Sequence, residues 1–320
     1  MHVVPTSWDD WRDRSHHKRN AGPPSESVWE AWLAEFTRLA APRARHLLAG
    51  GKSWGVTWGS HVAAVIDAIN AMPKSAQPRR RGVLAMPLCG NRCGARLASE
   101  SSSSLAEALQ RVLTGSIDRP LGLSMVPAFI LGDLDETEVV TMWKHIARSE
   151  AYCDVFGTER VPAAARASGS RSHVLVKALD GVLTSVSRDG HPFGYGVQRM
   201  YENAGYDWRE VEKRYTGDIG GIGLVRPGEA ADPKLEQRWT GVTREDMLAC
   251  AERAAAKKAN AVGVVLLVSG ADRADSVLES LRLGFVSHLI ADDSLNVELM
   301  RRVHDSPWAR PKSPRPAVKA

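Results

Sequence analysis

Residues 51–61 read GKSWGVTWGSH, a short apolar segment that passes through glycines into the start of a helix. Apolar residues then repeat at helical spacing and predict one buried face, formed by Val62, Val65, Ile66 and Ile69. A strand, a glycine turn and a helix start bring unpartnered backbone N–H groups and the positive end of the helix dipole to one point. This turn is a candidate site for a phosphate or a sugar hydroxyl, with Ser60 and His61 as further donors. Gly55 and Gly59 are equally consistent with close packing alone.

The rest of the chain alternates between strand-like and helix-like patterns. Predicted strands cover 83–88, 121–131, 173–179, 215–224, 262–268 and 286–290. Predicted helices cover 27–42, with a second short helix reaching 49, and then 105–113, 137–148, 197–214, 243–258 and 273–283. Continuous apolar strands that alternate with amphipathic helices are typical of a parallel sheet covered on both faces. We therefore predict an α/β fold, a mainly parallel Rossmann-like sheet with helices on both faces, in which 262–268 is a central strand.

Capping boxes indicate where three of the helices begin. In each, a Ser or Thr precedes an acidic residue by three positions, and the pairs are Ser27 with Glu30, Ser104 with Glu107, and Thr243 with Asp246. Pro42 predicts the end of the first helix, because proline lacks the N–H that continues the helical hydrogen bonds.

The composition is that of a globular chain. The 320 residues are 43% hydrophobic and 25% charged, and no apolar run is long enough to cross a bilayer. The first residues lack the apolar segment of a secretory signal. Cys89 and Cys93 have no second Cys or His pair at ligand spacing. We therefore expect reduced thiols, no metal, no cofactor and a cytoplasmic location.

Positive charge is concentrated in three places, 12–19, 79–81 and 301–319, and the net charge is +5. This charge permits anionic partners. None of the three clusters has the interleaved aromatic residues of a nucleic-acid surface, so each is interpreted as a solvated surface.

We predict three segments along the chain. Residues 1–24 form an irregular N-terminal arm, and residues 25–304 form the α/β domain. Residues 305–320 are rich in proline and basic residues and are expected to be disordered.

Several short motifs follow one another along the chain in a distinctive order. They are GVTWG at 55–59, LA at 105–106 followed by MVPA at 125–128, GDIGG at 217–221, SGADR at 269–273 continuing to LRLG at 281–284, and LIADD at 289–293. This order resembles the sugar-binding effector domain of the SorC-type, or deoxyribonucleoside-regulator-like, transcription regulators. The resemblance spans 25–304 and implies the fold group of glucosamine-phosphate deaminases, ribose-phosphate isomerases and CoA transferases. It also implies a phosphorylated sugar or related metabolite as ligand, and a homo-oligomer.

Three features, at four positions, depart from the family pattern. His61 stands where the family usually has Thr, and Arg273 stands where it has a phosphate-contacting Lys. Leu295 and Asn296 replace a Thr-Ala pair after the last acidic motif. An arginine can still hold a phosphate, bidentately rather than as a point charge.

The length of the arm bears on DNA binding. Only about 24 residues precede the first predicted helix, whereas family regulators carry a helix-turn-helix before the effector domain. We therefore expect a binding domain that lacks its DNA-binding module or acts on its own, without direct specific binding to DNA and without a membrane.

The resemblance implies a ligand site made of helix starts and charged side chains, in which Arg273 holds the phosphate and Asp218 and Asp292 hold hydroxyls. Its residues are Gly55, Thr57, Trp58, Gly59, Ser60, His61, Ser102, Ser103, Asp218, Gly270, Arg273 and Asp292. A cationic His61 would face the phosphate and tighten binding as the pH falls toward 6.

A purely structural role is open for several of these residues. The serines at 102 and 103 are also explained as a helix N-cap, and Asp218 as a cap of its glycine turn. Arg273 is also explained as a solvated helix residue, and Asp292 as the N-cap of the last helix.

Two other functions stay open. The fold group contains sugar-phosphate isomerases and deaminases, and His61 with Asp218 or Asp292 has the residue types for general acid–base catalysis. The sequence shows no catalytic signature, so enzyme activity is the less favoured interpretation. The second alternative is a regulator that reaches DNA through a partner or through its basic arm.

Overall fold

A six-stranded sheet in which every neighbouring pair runs parallel forms the centre of the molecule. The computed structural model describes residues 2–4, 26–91, 101–116, 121–123, 125–166 and 174–305. The strands are β1 (His2–Val4), β2 (Ser53–Val56), β3 (Leu84–Pro87), β4 (Gly181–Thr184), β5 (Tyr215–Ile219), β6 (Ile222–Val225), β7 (Gly263–Val268) and β8 (His288–Asp292). The order in the sheet is β1-β8-β7-β4-β2-β3, with β5 and β6 in a separate antiparallel hairpin. The prediction of a mainly parallel sheet is confirmed.

Helices connect most of these strands. They are α1 (Glu26–Leu48), α2 (Ser60–Ala71), α3 (Ser102–Thr114), α4 (Glu136–Ile146), α5 (Glu150–Phe156), α6 (Tyr195–Asn203), α7 (Trp208–Arg214), α8 (Pro233–Arg238), α9 (Arg244–Ala255), α10 (Ala274–Arg282) and α11 (Asp293–Asp305). Within the described ranges, no helix is both long and apolar enough to cross a membrane.

Strand β7 shows why both faces of the sheet are covered. All six of its residues are buried. Val264, Leu266 and Val268 belong to one hydrophobic cluster, whereas Val265 and Leu267 belong to another. Successive side chains of a strand point to opposite faces, so each cluster lies on its own side of the sheet. The prediction that 262–268 is a central strand is confirmed.

Strand β2 is fixed in the sheet by one large side chain. Trp54 is fully buried, and a Cβ built on Gly181 of β4 would lie only 2.4 Å from its ring. Gly181 therefore leaves the space that the indole fills. This packing places the carboxyl end of β2, at Val56, between β3 and β4.

The chain changes direction across the sheet at β2. It passes from β2 to β3 on one side and then returns to β4 on the other, after which β7 and β8 continue outward. In open parallel sheets, ligands bind outside the carboxyl ends of the strands where the order reverses. The fold thus places a candidate site between the ends of β2 and β4.

Two predicted strands do not form, and a third, 215–224, is a hairpin of two short strands, β5 and β6. Residues 121–123 and 125–131 form no strand; the segment turns at Val126, whose N–H bonds to the Leu123 carbonyl, and Met125 is 94% exposed. The described part of 173–179 is a 3₁₀ turn at Leu175–Ala178. The strand in this region is Gly181–Thr184. It has only four residues and begins directly after Asp180, and an Asp-Gly pair is typical of a turn.

The prediction that the first helix ends at Pro42 is also wrong. Helix α1 continues through Pro42 to Leu48 as one element. Its residues Phe36, Ala40, Ala44 and Leu48 are all buried in a single cluster. An interior proline costs a helix about 3 kcal/mol, and the packing of this continuous apolar face compensates for that cost.

Helix starts follow the predicted capping boxes in one case of three. Thr243 and Asp246 form a complete capping box at the start of α9. Helix α3 is capped by Ser101 rather than Ser104. Helix α1 already begins at Glu26, so Ser27 lies inside it.

The ends of the chain differ partly from the expectation. Within the segment expected to be irregular, His2–Val4 forms a strand that pairs in parallel with β8. The predicted tail, 305–320, lies outside the described residues apart from residue 305, the last position of α11.

Candidate functional site

At the carboxyl ends of β2 and β4, two threonines meet under a hairpin turn. Thr57 Oγ1 lies 2.9 Å from Thr184 Oγ1, and both side chains are buried. A Cβ built on Gly220, in the turn between β5 and β6, would lie 2.6 Å from Thr57 Cγ2. Gly220 also donates its N–H to the Ser185 carbonyl over 3.1 Å. The hairpin turn therefore lies directly on the point where the strand order reverses.

The glycines of β2 and of the turn after it allow close packing between strands and the turn of the backbone into α2. A Cβ on Gly55 would lie 2.4 Å from Leu88 Cδ1, so Gly55 allows β2 and the end of β3 to pack closely. Gly59 has a φ of 142° and precedes Ser60, the first residue of α2. Trp58 packs edge-on against Trp239 with ring centres 5.5 Å apart.

The two predicted serines of α3 hold neighbouring backbone segments in place. Ser102 Oγ donates to the Val56 carbonyl over 2.6 Å and accepts from the Leu88 N–H over 3.1 Å. Ser103 Oγ accepts from the Leu123 N–H over 2.9 Å. Both serines are buried. These bonds match the structural alternative more closely than a ligand contact.

Asp218 has the bonding pattern of a turn cap. Its two carboxylate oxygens accept from the Gly221 N–H at 2.9 Å and from the Phe193 N–H at 2.7 Å. It is 4% exposed. The carboxylate thus closes the β5–β6 turn and ties it to the loop before α6.

Asp292 has a similar structural role at the start of α11. One oxygen accepts from the N–H of Gly270 and of Leu295, and the other accepts from the Ser294 hydroxyl at 2.9 Å. Burial raises the pKa of this carboxyl, and the hydrogen bonds from Gly270 and Leu295 act in the opposite direction. Asp292 joins the ends of β7 and β8 to the first turn of α11.

The remaining predicted residues meet around Ser269, in a group that we call the Arg273 cluster: His61, Ser269, Gly270, Arg273 and Asp292. His61 Nε2 lies 2.5 Å from Ser269 Oγ, and Arg273 donates to the Ser269 carbonyl at 2.9 Å. Gly270 has a φ of 99°, and a Cβ there would lie 3.0 Å from an Arg273 nitrogen. The sequence motifs after β2, β7 and β8 therefore do converge.

His61 is enclosed by aromatic rings from α1. The ring centres of Trp29, Trp32 and Phe36 lie 5.5, 6.0 and 5.5 Å from that of His61. Burial lowers the pKa of His61 well below its ordinary value, and the nearby positive charge of Arg273 lowers it further. The expectation of a cationic His61 near pH 6 is therefore wrong, because this environment favours the neutral imidazole.

Arg273 is a buried cation under an aromatic cover. Its guanidinium lies over the Trp29 ring, 5.5 Å from the ring centre, and also donates to Asp272 at 2.8 Å. Burial lowers its pKa, and Asp272 raises it. Its Nε has no hydrogen-bond partner among the residues that the structure describes. The expectation of a solvated helix residue does not fit, since the side chain is 11% exposed.

Sequence reasoning missed two features of this region. It did not place Trp29 in the site, because nothing local links this residue to Arg273, which lies more than two hundred positions further along the chain. It also missed a cavity of about 180 Å³ beside the β5–β6 hairpin. None of the twelve predicted residues lines that cavity. Over the described ranges, no three His, Cys, Asp or Glu residues group as a metal site.

Comparison with known proteins identifies the fold. No protein-family model and no curated protein matches this chain. Solved structures do match, including a transcriptional regulator from Streptococcus pneumoniae TIGR4, at 15% identity and a TM-score of 0.58 over 95% of this chain and 92% of that one. The full-length sorbitol operon regulator SorC from Klebsiella pneumoniae matches at 15% identity and a TM-score of 0.57, over 91% of this chain and 87% of that one.

A third match is a domain of a possible sugar-binding transcriptional regulator from Arthrobacter aurescens TC1. It has 16% identity and a TM-score of 0.56, over 93% of this chain and 91% of that one. At these identities the likeness concerns the fold. The resemblance to SorC-type effector domains that the motifs indicated is confirmed at that level.

Proposed function

We propose that this chain is the effector domain of a SorC-type transcription regulator and binds a phosphorylated sugar or a related anionic metabolite. The ligand would shift its conformation or its oligomeric state. Residues 25–304 would make up this domain. The fold shared with the sorbitol operon regulator SorC and with a domain of a possible sugar-binding transcriptional regulator supports the proposal and suggests the class of ligand.

The observation that carries the proposal is the unpartnered Nε of the buried Arg273 at the carboxyl edge of the sheet. A buried arginine with an open donor is costly unless a partner is supplied. A phosphate would supply two oxygens to the guanidinium fork. Helix α2 begins next to this cation, because its residue His61 shares Ser269 with Arg273. The positive end of the helix dipole would add to the attraction.

The aromatic cover would control access to Arg273. Trp29 is half-buried and lies on the guanidinium. A ligand phosphate would have to move the Trp29 ring aside and exchange a cation–π contact for a charge-assisted hydrogen bond. The latter is the stronger interaction in a site with little water.

Replacement of Arg273 tests this proposal. We expect Arg273→Ala to lower the affinity for a phosphorylated sugar roughly ten- to a hundred-fold, because a charge-assisted hydrogen bond is lost. The affinity for the unphosphorylated parent sugar should stay unchanged. Calorimetry with ribose 5-phosphate, glucosamine 6-phosphate and their parent sugars measures this difference. Arg273→Lys keeps the charge and should retain part of the affinity.

A control is available on the neighbouring helix. Arg282 is partly exposed and pairs with Glu279, so Arg282→Ala removes a cation without touching the Arg273 cluster. Thermal melts establish that each variant is folded. Equal affinity for a sugar and its phosphate, or normal phosphosugar binding by folded Arg273→Ala, would contradict the proposal.

We further propose that the chain forms a homo-oligomer through α11. Val297, Met300 and Val303 are 51%, 62% and 44% exposed and follow one another at helical spacing, so they form an apolar stripe. Met300→Asp should then shift the mass measured by light scattering toward the monomer, whereas Met125→Asp, at another exposed methionine, should not. A wild-type chain that is monomeric at micromolar concentration would rule this out.

A further inference from the structure

The cavity beside the β5–β6 hairpin has a floor of four aromatic rings. Phe129 lies 4.9 Å from Trp239 and 5.3 Å from Phe193, and Phe193 lies 5.4 Å from Tyr215, measured between ring centres. All four side chains are buried and line the cavity. Gly221 and Gly223 form part of the wall, and a Cβ on Gly221 would lie 2.1 Å from Trp239. The hairpin backbone and the rings are thus in direct contact.

Hydrogen bonds hold the floor in place. Trp239 Nε1 donates to the Val242 carbonyl at 2.8 Å, and the Tyr215 hydroxyl accepts from the Asp232 N–H at 2.7 Å. Arg160 donates to the carbonyls of Trp239 and Gly241 at 2.8 and 3.2 Å. The Trp239 N–H and one acceptor position of the Tyr215 hydroxyl are already used in these bonds. The rings therefore present mainly carbon surface to the cavity.

The rim is charged, with both signs present. Arg244 lines the cavity and donates to the Gly223 carbonyl at 3.0 Å. Glu236 and Glu245 also line it, and both are exposed. Neither carboxylate accepts a hydrogen bond from another residue in the part of the chain that the structure describes. The two arginines at 160 and 244 and these two carboxylates balance in charge.

We propose that this cavity is a second binding site, for a neutral monosaccharide or a polyol of similar size. A volume of about 180 Å³ has room for several waters or one sugar ring. The C–H face of a sugar fits an aromatic floor, and its hydroxyls can donate to the two open carboxylates and accept from Arg244. This site goes beyond the proposed phosphosugar site, and the two share no residue.

The charge balance selects a neutral ligand over an anionic one. A phosphate at this rim would meet the two carboxylates as well as the arginines, so the attraction would largely cancel. A purely apolar ligand would cover the charged rim groups without giving them partners, which is unfavourable. A neutral ligand with several hydroxyls can pack its C–H groups on the aromatic rings and form hydrogen bonds with the charged groups at the rim.

The hairpin links this cavity to the strand ends. Gly221 contacts Trp239 in the cavity wall, and the adjacent Gly220 lies against Thr57 where the strand order reverses. A sugar in the cavity would therefore contact the same turn that covers the carboxyl ends of β2 and β4.

The test uses the full chain and a panel of neutral aldohexoses and aldopentoses, with glucose 6-phosphate and indole as anionic and apolar probes. Tryptophan fluorescence and calorimetry report binding. We expect at least one neutral sugar to bind, and Glu245→Gln to weaken it about tenfold through the loss of a charged acceptor. Glu245→Trp, which places a large side chain at the exposed mouth, should abolish binding.

The matched control is Glu252→Gln, an exposed carboxylate on the same helix, α9, two turns further on and outside the cavity. It should bind as the wild type does. Arg273→Ala should leave neutral-sugar binding unchanged, so failure of the phosphosugar site is distinguished from failure of this one. Binding of indole but no sugar, binding that folded Glu245 variants leave unchanged, or no binding of any panel sugar would overturn the proposal.

Discussion

The Asp292→Ala variant is expected to lose about 2–5 kcal/mol of unfolding free energy, because three donors lose their acceptor at once. The N–H of Leu295 loses its helix cap, which is worth about 0.5–2 kcal/mol. The buried N–H of Gly270 is left without a partner, at a cost of about 1–3 kcal/mol. Urea unfolding followed by circular dichroism measures the loss.

Asp292→Asn is the informative companion variant. Its amide oxygen can still accept from Gly270 and Leu295, so most of the stability should return. If Asp292 serves mainly as a contact for ligand hydroxyls, the alanine variant would instead unfold at the same urea concentration as the wild type and lose only sugar affinity. That result would restore the role that the sequence first indicated.

Much of the architecture could be predicted from the sequence, because its strongest signals are local. The run 262–268 is apolar at nearly every position, and the Thr243–Asp246 pair is a complete capping box. The strand Gly181–Thr184 begins with glycine directly after Asp180 and has only four residues, so it carries too little apolar pattern to be recognised. The continuation of α1 through Pro42 depends on packing against distant elements, which a local rule for proline does not include.

The sequence predicted that the candidate residues lie at the carboxyl ends of the strands, but it left two roles open for several of them. A carboxylate that accepts backbone N–H groups and one that accepts sugar hydroxyls use the same chemistry, so Asp218 and Asp292 fit either role by sequence. Only the structure identifies the donors. The contact of Trp29 with Arg273 joins residues more than two hundred positions apart, and no local pattern contains it.

The pH dependence of stability should carry the signature of a neutral, buried His61. In the unfolded chain this histidine takes up a proton below about pH 6.5. In the folded chain its pKa is lowered by burial and then by Arg273, so it stays neutral. The unfolded state therefore binds more protons, and stability that is fully present above about pH 6.5 is lost as the pH falls, at about 1.4 kcal/mol for each pH unit in that window.

His61→Gln isolates this contribution. A glutamine can keep a hydrogen bond to Ser269 Oγ and does not titrate, whereas the carboxylates are common to both chains. Urea unfolding at steps from about pH 7.5 to about pH 5 should show the stability advantage of the wild type over the variant shrinking as the pH falls. A difference that stays constant with pH would mean that His61 becomes protonated inside the fold. In that case the imidazolium would be available to an anionic ligand after all, and phosphosugar affinity should rise on acidification instead of staying level.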